Sequence, residues 1–151
     1  MRSIARLADL KSLVGQELAV SQWFSISQER INQFAEATGD LQWIHVDPER
    51  AAAGPFGATI AHGFLTLSLL PLFSQDALRF EDVRMSVNYG LNRVRFPAPV
   101  PVGSELRGRF RLLSVEDVAG NGMQVTVEVT VERKGSDKPV CVAESVTRRY
   151  V

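Results

Sequence analysis

The stretch from Ala51 to Gln75 constrains the fold more than any other part of the sequence. Its 25 residues include no Asp, Glu, Lys or Arg. A run of that length is sufficient to cross a bilayer as a helix. Three glycines, two prolines and a histidine interrupt it, however, and only Phe64–Phe73 is densely apolar, about half of a membrane span. We therefore expect the run to lie inside a folded domain and not in a membrane.

The composition is that of a single globular domain, which we place at residues 1–151. The 17 basic and 17 acidic side chains balance, whereas a nucleic-acid-binding domain normally carries a basic excess. The single cysteine, Cys141, excludes an internal disulfide. Charged residues near the N-terminus interrupt any secretory signal. We expect a cytoplasmic protein that binds neither nucleic acid nor membrane.

The uncharged run is predicted to divide into a loop and a helix. The segment Leu41–Thr59 is rich in Ala, Gly and Pro and is predicted to be irregular. Ile60–Gln75 is apolar at nearly every position, which is typical of a helix buried in a protein interior. Pro71 is expected to end or kink that helix. Before the loop, Ser27 and Gly39 are the N-cap and C-cap expected of another helix.

From Val83 onward, apolar and polar residues alternate, which predicts β-strands. The other expected elements are a short helix within the first 15 residues, a strand at Leu18–Ile26, strands at Val83–Tyr89 (ended by Gly90), Leu106–Leu112, Val125–Val131 and Val140–Tyr150, and a hairpin turn at Asn121-Gly122. Long antiparallel strands with one polar face need an apolar partner on the other face. The predicted fold is therefore α+β, a curved antiparallel β-sheet wrapped around one buried central helix.

Asp40 and His45 lie close together in the chain at the start of the predicted loop. A carboxylate and an imidazole on one short segment can both contact a single water and share general acid–base catalysis. A turn-forming aspartate followed by a solvated histidine gives the same pattern. Both interpretations remain open from the residues alone.

The only other histidine, His62, precedes Gly63 at the start of the predicted buried helix. Backbone N–H groups in the first turn of a helix lack intrahelical partners, and such a group can polarise a carbonyl oxygen. Glycine at this position would allow a ligand to approach the backbone closely. Close packing of the helix against the sheet explains the glycine equally well.

Three other kinds of site are less favoured by the sequence. A mixed metal site is conceivable from Asp40, His45, Asp47 and His62, but no closely spaced histidine pair supports it, and we expect neither metal nor cofactor. Cys141 lies inside an alternating strand, which does not favour a nucleophile. Six arginines between Arg84 and Arg111 are opposed by only one acidic residue there, so they either face solvent or bind an anionic group such as phosphate.

Three segments resemble the MaoC-like dehydratase family, in particular its short (R)-specific enoyl-CoA hydratases and the nodulation protein N-like branch. They are Phe34–Asp47, with Gly-Asp followed by His; Phe56–Gly63, which ends in Ala-His-Gly; and Arg95–Gly103. The resemblance covers roughly residues 23–103. It implies the hot-dog fold, which agrees with the sheet and buried helix predicted above. Gln42-Trp43 departs from the Asn-Pro usual in the family, which leaves the acyl chain-length preference open.

The resemblance also implies an activity in fatty acid metabolism, with a coenzyme A thioester as substrate and a homodimer with its acyl tunnel near the subunit interface. Asp40 and His45 would activate a water that adds to C3 of a trans-2-enoyl-CoA, or remove it from a (3R)-hydroxyacyl-CoA. The N–H of Gly63 would bind the thioester oxygen, and arginines of the 84–111 stretch would contact coenzyme A phosphates. A hot-dog thioesterase and a non-catalytic acyl-CoA-binding module, the latter suggested by Trp43, remain alternatives.

Overall fold

The computed structural model describes all residues from Met1 to Val151. The strands are β1 (Arg2–Ile4), β2 (Glu17–Val20), β3 (Phe24–Ser25), β4 (Leu78–Phe80), β5 (Met85–Arg95), β6 (Glu105–Val118), β7 (Gly122–Arg133) and β8 (Cys141–Tyr150). The helices are α1 (Gln28–Thr38), α2 (Trp43–Val46), α3 (Pro48–Ala52), α4 (Gly63–Ser68) and α5 (Leu70–Ala77), together with a 3-10 helix at Leu7–Leu13.

Six of the strands form one antiparallel sheet in the order β2-β6-β7-β8-β5, with β3 also paired to β6. The remaining two, β1 and β4, pair in parallel as a separate small sheet. Asn121 has φ 62°, so the predicted Asn-Gly turn does join β6 to β7. The predicted α+β hot-dog architecture is confirmed, and β5 is left as an edge strand.

The core lies between the inner face of this sheet and the helix pair α4–α5. Alternation along β6 buries Leu106, Phe110 and Leu112, as predicted, and turns the intervening arginines outward. Phe73 of α5 is fully buried against this face. Burial of a side chain of this size contributes about 3 kcal/mol through removal of apolar surface from water.

The predicted helix at Ile60–Gln75 is two helices that meet at Leu69. Ile60 instead forms an antiparallel bridge with Pro101, so the helix begins three residues later than predicted. Pro71 lies in the first turn of α5, where its missing N–H costs no hydrogen bond. The pair is also not buried on all sides, because Phe64 is 69% exposed. None of the helices combines the length and apolar character that spanning a bilayer requires.

Four other features differ from the prediction. The loop at Leu41–Thr59 contains α2 and α3, and Gly90 is an irregularity within β5, not its end. The strand expected at Leu18–Ile26 is interrupted where the Ser21 hydroxyl accepts the Gly108 amide proton at 3.0 Å. The short helix predicted within the first 15 residues is the 3-10 helix at Leu7–Leu13, and it is preceded by β1, which forms because Arg2–Ile4 pair with the distant strand β4.

Substitution of Gly108 by Ala is expected to reduce the free energy of unfolding by about 1–3 kcal/mol, the usual cost of overpacking. An added Cβ would lie 2.8 Å from Cβ of Phe73, an atom that cannot move without shifting α5. Gly90→Ala is the matched control, because no atom lies within 4 Å of its added Cβ. Urea denaturation measures both variants, and equal loss of stability would contradict this account of the helix–sheet contact.

Candidate active site

Helix α1 places Asp40 at the entrance of the site. The Ser27 hydroxyl accepts the Arg30 amide proton at 3.2 Å, and Gly39, with φ 82°, ends the helix, so both predicted caps are confirmed. The Asp40 carboxylate follows directly, and its side chain is 53% exposed. An exposed carboxylate next to a buried group is accessible to a substrate from solvent.

The buried side chain of His45, on the short helix α2, lies beside this carboxylate. Its Nδ1 is 2.7 Å from the carbonyl oxygen of Ile60. Because a carbonyl oxygen only accepts, Nδ1 carries the proton and the lone pair of the neutral ring is on Nε2. That Nε2 lies 4.0 Å from Oδ2 of Asp40. A water about 2.8 Å from both atoms fits this separation.

The stacked ring of His62 holds both members of this pair. The His45 and His62 ring centroids are 3.8 Å apart, with an interplanar angle of 24°. Nε2 of His62 donates to the backbone carbonyl oxygen of Asp40 at 2.9 Å. The ring of Phe34 packs on the other side, with its centroid 4.9 Å from that of His62. His62 therefore positions the backbone of Asp40 and the imidazole of His45.

Gln28 is a positioning residue that sequence reasoning missed. Its Nε2 donates to the carbonyl oxygen of His45 at 2.8 Å, and its Oε1 accepts from the Thr59 hydroxyl at 2.5 Å. It thus ties α1 to α2 and to the segment before α4. The sequence does contain a signal, because Gln28 shares the inner face of α1 with the buried Ile31 and Ala35, where a polar side chain needs a partner.

Burial lowers the pKa of His45 below its ordinary value of 6.5, and the neighbouring His62 lowers it further. The Ile60 carbonyl and the Asp40 carboxylate oppose this effect without cancelling it. At neutral pH the ring is therefore neutral, with a free lone pair on Nε2. A neutral imidazole of this kind is suited to accept a proton from a bound water.

A metal ion is a second conceivable ligand of this cluster. Potential ligand atoms of Asp40, His45 and His62 all lie within 4.8 Å of one another, whereas the Asp47 carboxylate caps α3 by accepting the Arg50 amide proton at 3.1 Å. The lone pair of an imidazole nitrogen lies in the ring plane. Two rings stacked at 24° direct their lone pairs side by side instead of toward one point. The geometry favours a hydrogen-bonded water over a chelated ion.

Gly63 is the first residue of α4 and directly follows His62. Its N–H is among the first-turn amides that a helix leaves without intrahelical partners. An added Cβ here would lie 3.0 Å from the ring of Phe96. Glycine at this position therefore allows the Phe96 ring to pack closely against the start of α4.

Trp43 leaves the geometry of the pair intact. Gln42 is the N-cap of α2, and Trp43 is its first residue. Proline is favoured at the first position of a helix. Gln42 and Trp43 therefore occupy the positions at which the family's Asn-Pro would begin the same helix. The indole packs against Gly54, and the Arg50 guanidinium lies 4.4 Å above its ring. The backbone bond from the His45 amide to the Gln42 carbonyl is retained at 3.0 Å.

Two other groups singled out in the sequence are accounted for by structure. Arg107 and Arg109 both donate to Glu132, at 2.6 and 3.0 Å, and Arg109 also pairs with Glu17, so these arginines are engaged on the outer face of the sheet. Cys141 is fully buried, and burial raises the pKa of its thiol to about 11. A protonated, inaccessible thiol is not a nucleophile at neutral pH.

A cavity of about 710 Å³ lies between α4–α5 and the inner face of the sheet. It begins at Leu67 and Ser68, about one helical turn beyond Gly63. Asp40, His45 and His62 do not line it. The candidate acid–base pair and this cavity are thus separate regions, the pair before the start of α4 and the cavity farther along α4–α5.

Comparison with known proteins agrees with this architecture. A family model described as a MaoC-like domain matches residues 9–134. The 3-hydroxyacyl-thioester dehydratase Z of Mycobacterium tuberculosis (strain ATCC 25618 / H37Rv) is 56% identical over 98% of both chains. Nodulation protein N of Rhizobium leguminosarum bv. viciae is 48% identical over 93% of this chain and 89% of its own.

Among solved structures, the unliganded R-hydratase PhaJ1 of Pseudomonas aeruginosa superimposes with a TM-score of 0.69. It is 26% identical, and the match covers 91% of this chain and 81% of that one. The family model matches 126 consecutive residues, from 9 to 134, which is most of the chain. The two relatives, at 56% and 48% identity, are matched over 98% and 93% of it. This chain therefore belongs to the MaoC-like domain family, and it is an enzyme of the dehydratase–hydratase class.

Proposed function

We propose that the protein is an (R)-specific enoyl-CoA hydratase, which reversibly adds water to a trans-2-enoyl-CoA to form a (3R)-hydroxyacyl-CoA. The observation that carries this proposal is the pair formed by Nε2 of the buried His45 and Oδ2 of the exposed Asp40, which are 4.0 Å apart. The names of its relatives, a 3-hydroxyacyl-thioester dehydratase and an R-hydratase, support the same reaction class.

The acid–base chemistry follows from the fixed tautomer of His45. In the hydration direction, Nε2 accepts a proton from the water held between it and the Asp40 carboxylate. The water oxygen forms a bond to C3 of the enoyl group, and the proton held on Nε2 is then delivered to C2, so that one water is added across the double bond and His45 returns to its neutral form. In the dehydration direction, the same two side chains remove the hydroxyl and the C2 proton.

Negative charge develops on the thioester oxygen as the bond to C3 forms. We assign its stabilisation to the backbone N–H of Gly63 in the first turn of α4, next to the ring of His62. Gly63 is partly exposed, so a thioester can approach this amide. Neither a metal nor a cofactor takes part in the proposed reaction.

The coenzyme A moiety requires positive charge for its phosphates. Arg93 and Arg95 are exposed and form no ion pair within the chain, in contrast to Arg107 and Arg109. They lie at the end of β5, close to Phe96, whose ring lies at Gly63. We infer that these two arginines, out of the six in the 84–111 stretch, contact the phosphates.

The edge strand β5 supports a homodimer. It is 11 residues long, and Met85, Val87, Tyr89 and Leu91 are each at least 45% exposed. A long edge strand with exposed apolar side chains is a template for pairing with another chain. We infer that two copies pair through β5 about a two-fold axis. Since Ser86, Asn88 and Tyr89 also line the 710 Å³ cavity, this pairing would place the cavity near the subunit interface.

Asp40→Asn and His45→Gln are each expected to lower kcat for hydration of crotonyl-CoA by about 10²-fold or more, the range of general acid–base groups. Loss of the enoyl absorbance measures the rate. Glu49→Gln, an exposed carboxylate in the neighbouring helix, is the control. A thiol-reactive dye run in parallel detects free coenzyme A, whose release without hydration would show a thioesterase. Near-full hydration by either site variant would contradict the mechanism.

The lowered pKa of His45 predicts both an activity and a stability profile. The acidic limb of kcat/KM for hydration should have its midpoint below 6.5, because Nε2 must be unprotonated. In the unfolded chain His45 binds a proton at a higher pH than in the folded chain. The free energy of unfolding is therefore at its full value above pH 6.5, and it decreases as the pH falls from 6.5 toward the lower pKa of the folded state. Urea unfolding across this range, compared with His45→Gln, should show a shallower pH dependence for the variant. An acidic limb centred at 7 or above would refute the assignment.

Val87→Asp is expected to convert the dimer to a monomer, because it places an unpaired charge in the proposed interface. Light scattering should give twice 16.7 kDa for the wild type and 16.7 kDa for the variant. Val14→Asp, an exposed valine outside β5, should leave the mass unchanged. A monomeric wild type, or a variant that stays dimeric, would rule out the β5 interface.

A further inference from the structure

The inner face of β8 changes character along its length. At its start, Cys141 and Ala143 are buried and contribute to the apolar core. Farther along, the inward positions are taken by Ser145, Thr147 and Arg149, which all line the 710 Å³ cavity between the helices and the sheet. The cavity is therefore apolar over part of its wall and polar at the end where β8 finishes.

Arg149 is a half-buried cation without a carboxylate partner. Its guanidinium carbon lies 4.1 Å from the centroid of the Phe80 ring, and its Nε is buried without a hydrogen-bond partner. No ion pair involves it, whereas Arg107 and Arg109 on the outer face are both paired with Glu132. Burial lowers the pKa of Arg149 to about 10, so the group keeps its charge at neutral pH.

Neighbouring polar groups extend this end of the cavity. The Thr147 hydroxyl is also buried without a partner. Across the β5–β8 ladder, Ser86 is opposite Arg149 and Asn88 is opposite Thr147, and both contribute to the cavity lining. Buried polar groups are normally hydrogen-bonded, and a buried charge is normally paired. Unsatisfied donors gathered around one cation indicate the place of an anionic acceptor.

The apolar part of the cavity lining indicates the kind of molecule that carries this anion. Leu67 and Leu70 from the helices and Val125 and Val127 from β7 form an apolar surface between Gly63 and the polar end. Leu67 is four residues beyond Gly63 and Gln75 is twelve, so the cavity extends from about 6 to about 18 Å along the helices. A ligand with an apolar chain and an anionic group at its far end would match the apolar lining first and the polar end of the cavity last.

We propose that Arg149, together with Thr147, binds a carboxylate at the distal end of the acyl chain, so that the enzyme selects acyl thioesters whose tail ends in a carboxylate. This inference rests on the proposed hydratase function, because it places the thioester at Gly63 and the tail in the cavity. Arg149 is a specificity-determining residue in this account and takes no part in proton transfer. A carboxylate supplies the charge-assisted hydrogen bonds that the guanidinium lacks within the chain.

The first test needs no enzyme turnover. Isothermal titration compares binding of decanoate with binding of 1-decanol, which has the same chain without the charge. The wild type should bind decanoate about tenfold or more tightly than decanol, and Arg149→Met should remove this preference. Arg148→Met is the matched control, since Arg148 lies next in the chain and donates to Gln124. An equal preference in wild type and Arg149→Met would overturn the proposal.

The second test compares hydration of two enoyl-CoA substrates of equal chain length, one ending in a methyl group and one in a carboxylate. The wild type should favour the carboxylate by about tenfold in kcat/KM, and Arg149→Met should reverse or abolish this preference without a comparable loss on the methyl-ended substrate. If the enzyme hydrates neither substrate but still binds decanoate more tightly than decanol, the hydratase proposal is refuted and the proposal of an anion site at Arg149 is retained.

Two other occupants of the Arg149 site would also overturn the inference. If coenzyme A alone binds much more weakly to Arg149→Met than to wild type, the anion is a carrier phosphate and not the acyl tail. If Arg149→Met loses the dimer in light scattering, the anion is a side chain of the second subunit. A folded, dimeric variant with unchanged coenzyme A binding and no decanoate preference supports the proposal.

Discussion

The geometry of the site depends on the packing of α4–α5 against the sheet. Phe73 can pack against the sheet because Gly108 has no side chain, and this contact holds α5 in place. The chain that leads into α4 precedes this helix pair. That chain is also bonded to the segment before β6, through the Ala61 amide to the Val100 carbonyl at 2.8 Å and the Val102 amide to the Thr59 carbonyl at 2.9 Å. The carbonyl of Ile60, held between these bonds, then fixes the tautomer of His45.

Burial has opposite chemical consequences for the two basic groups on which the proposals rest. It lowers the pKa of both, but His45 starts from 6.5 and becomes neutral at physiological pH. Arg149 starts from 12.5 and falls only to about 10, so it remains a cation. The same loss of hydration therefore produces a proton acceptor at one end of the helix pair and a charged anchor at the other. Both groups lie close to this one buried element, α4–α5.

Several features of the fold were predictable because local chemistry controls them. Ser27 and Gly39 satisfy the ends of α1 through neighbouring amides and carbonyls, and Asn121 adopts the left-handed conformation its turn requires. Alternation along β6 and β7 reflects a two-residue period that is the same in any sheet. Boundaries that depend on a distant partner were wrong, as at β1, whose ladder with β4 joins residues more than 70 apart.

The sequence by itself placed Asp40 and His45 on one short segment as candidate site residues, but it did not reveal Gln28. Asp40 follows a glycine-capped helix, and His45 lies five residues later, because both spacings are set by short-range backbone geometry. Only the tertiary structure decided how these groups behave. Stacking of His62 on His45, the link through Gln28 and the isolation of Arg149 all arise between segments far apart in the chain. Protonation state and charge pairing depend on burial and on such neighbours, which a linear pattern does not specify.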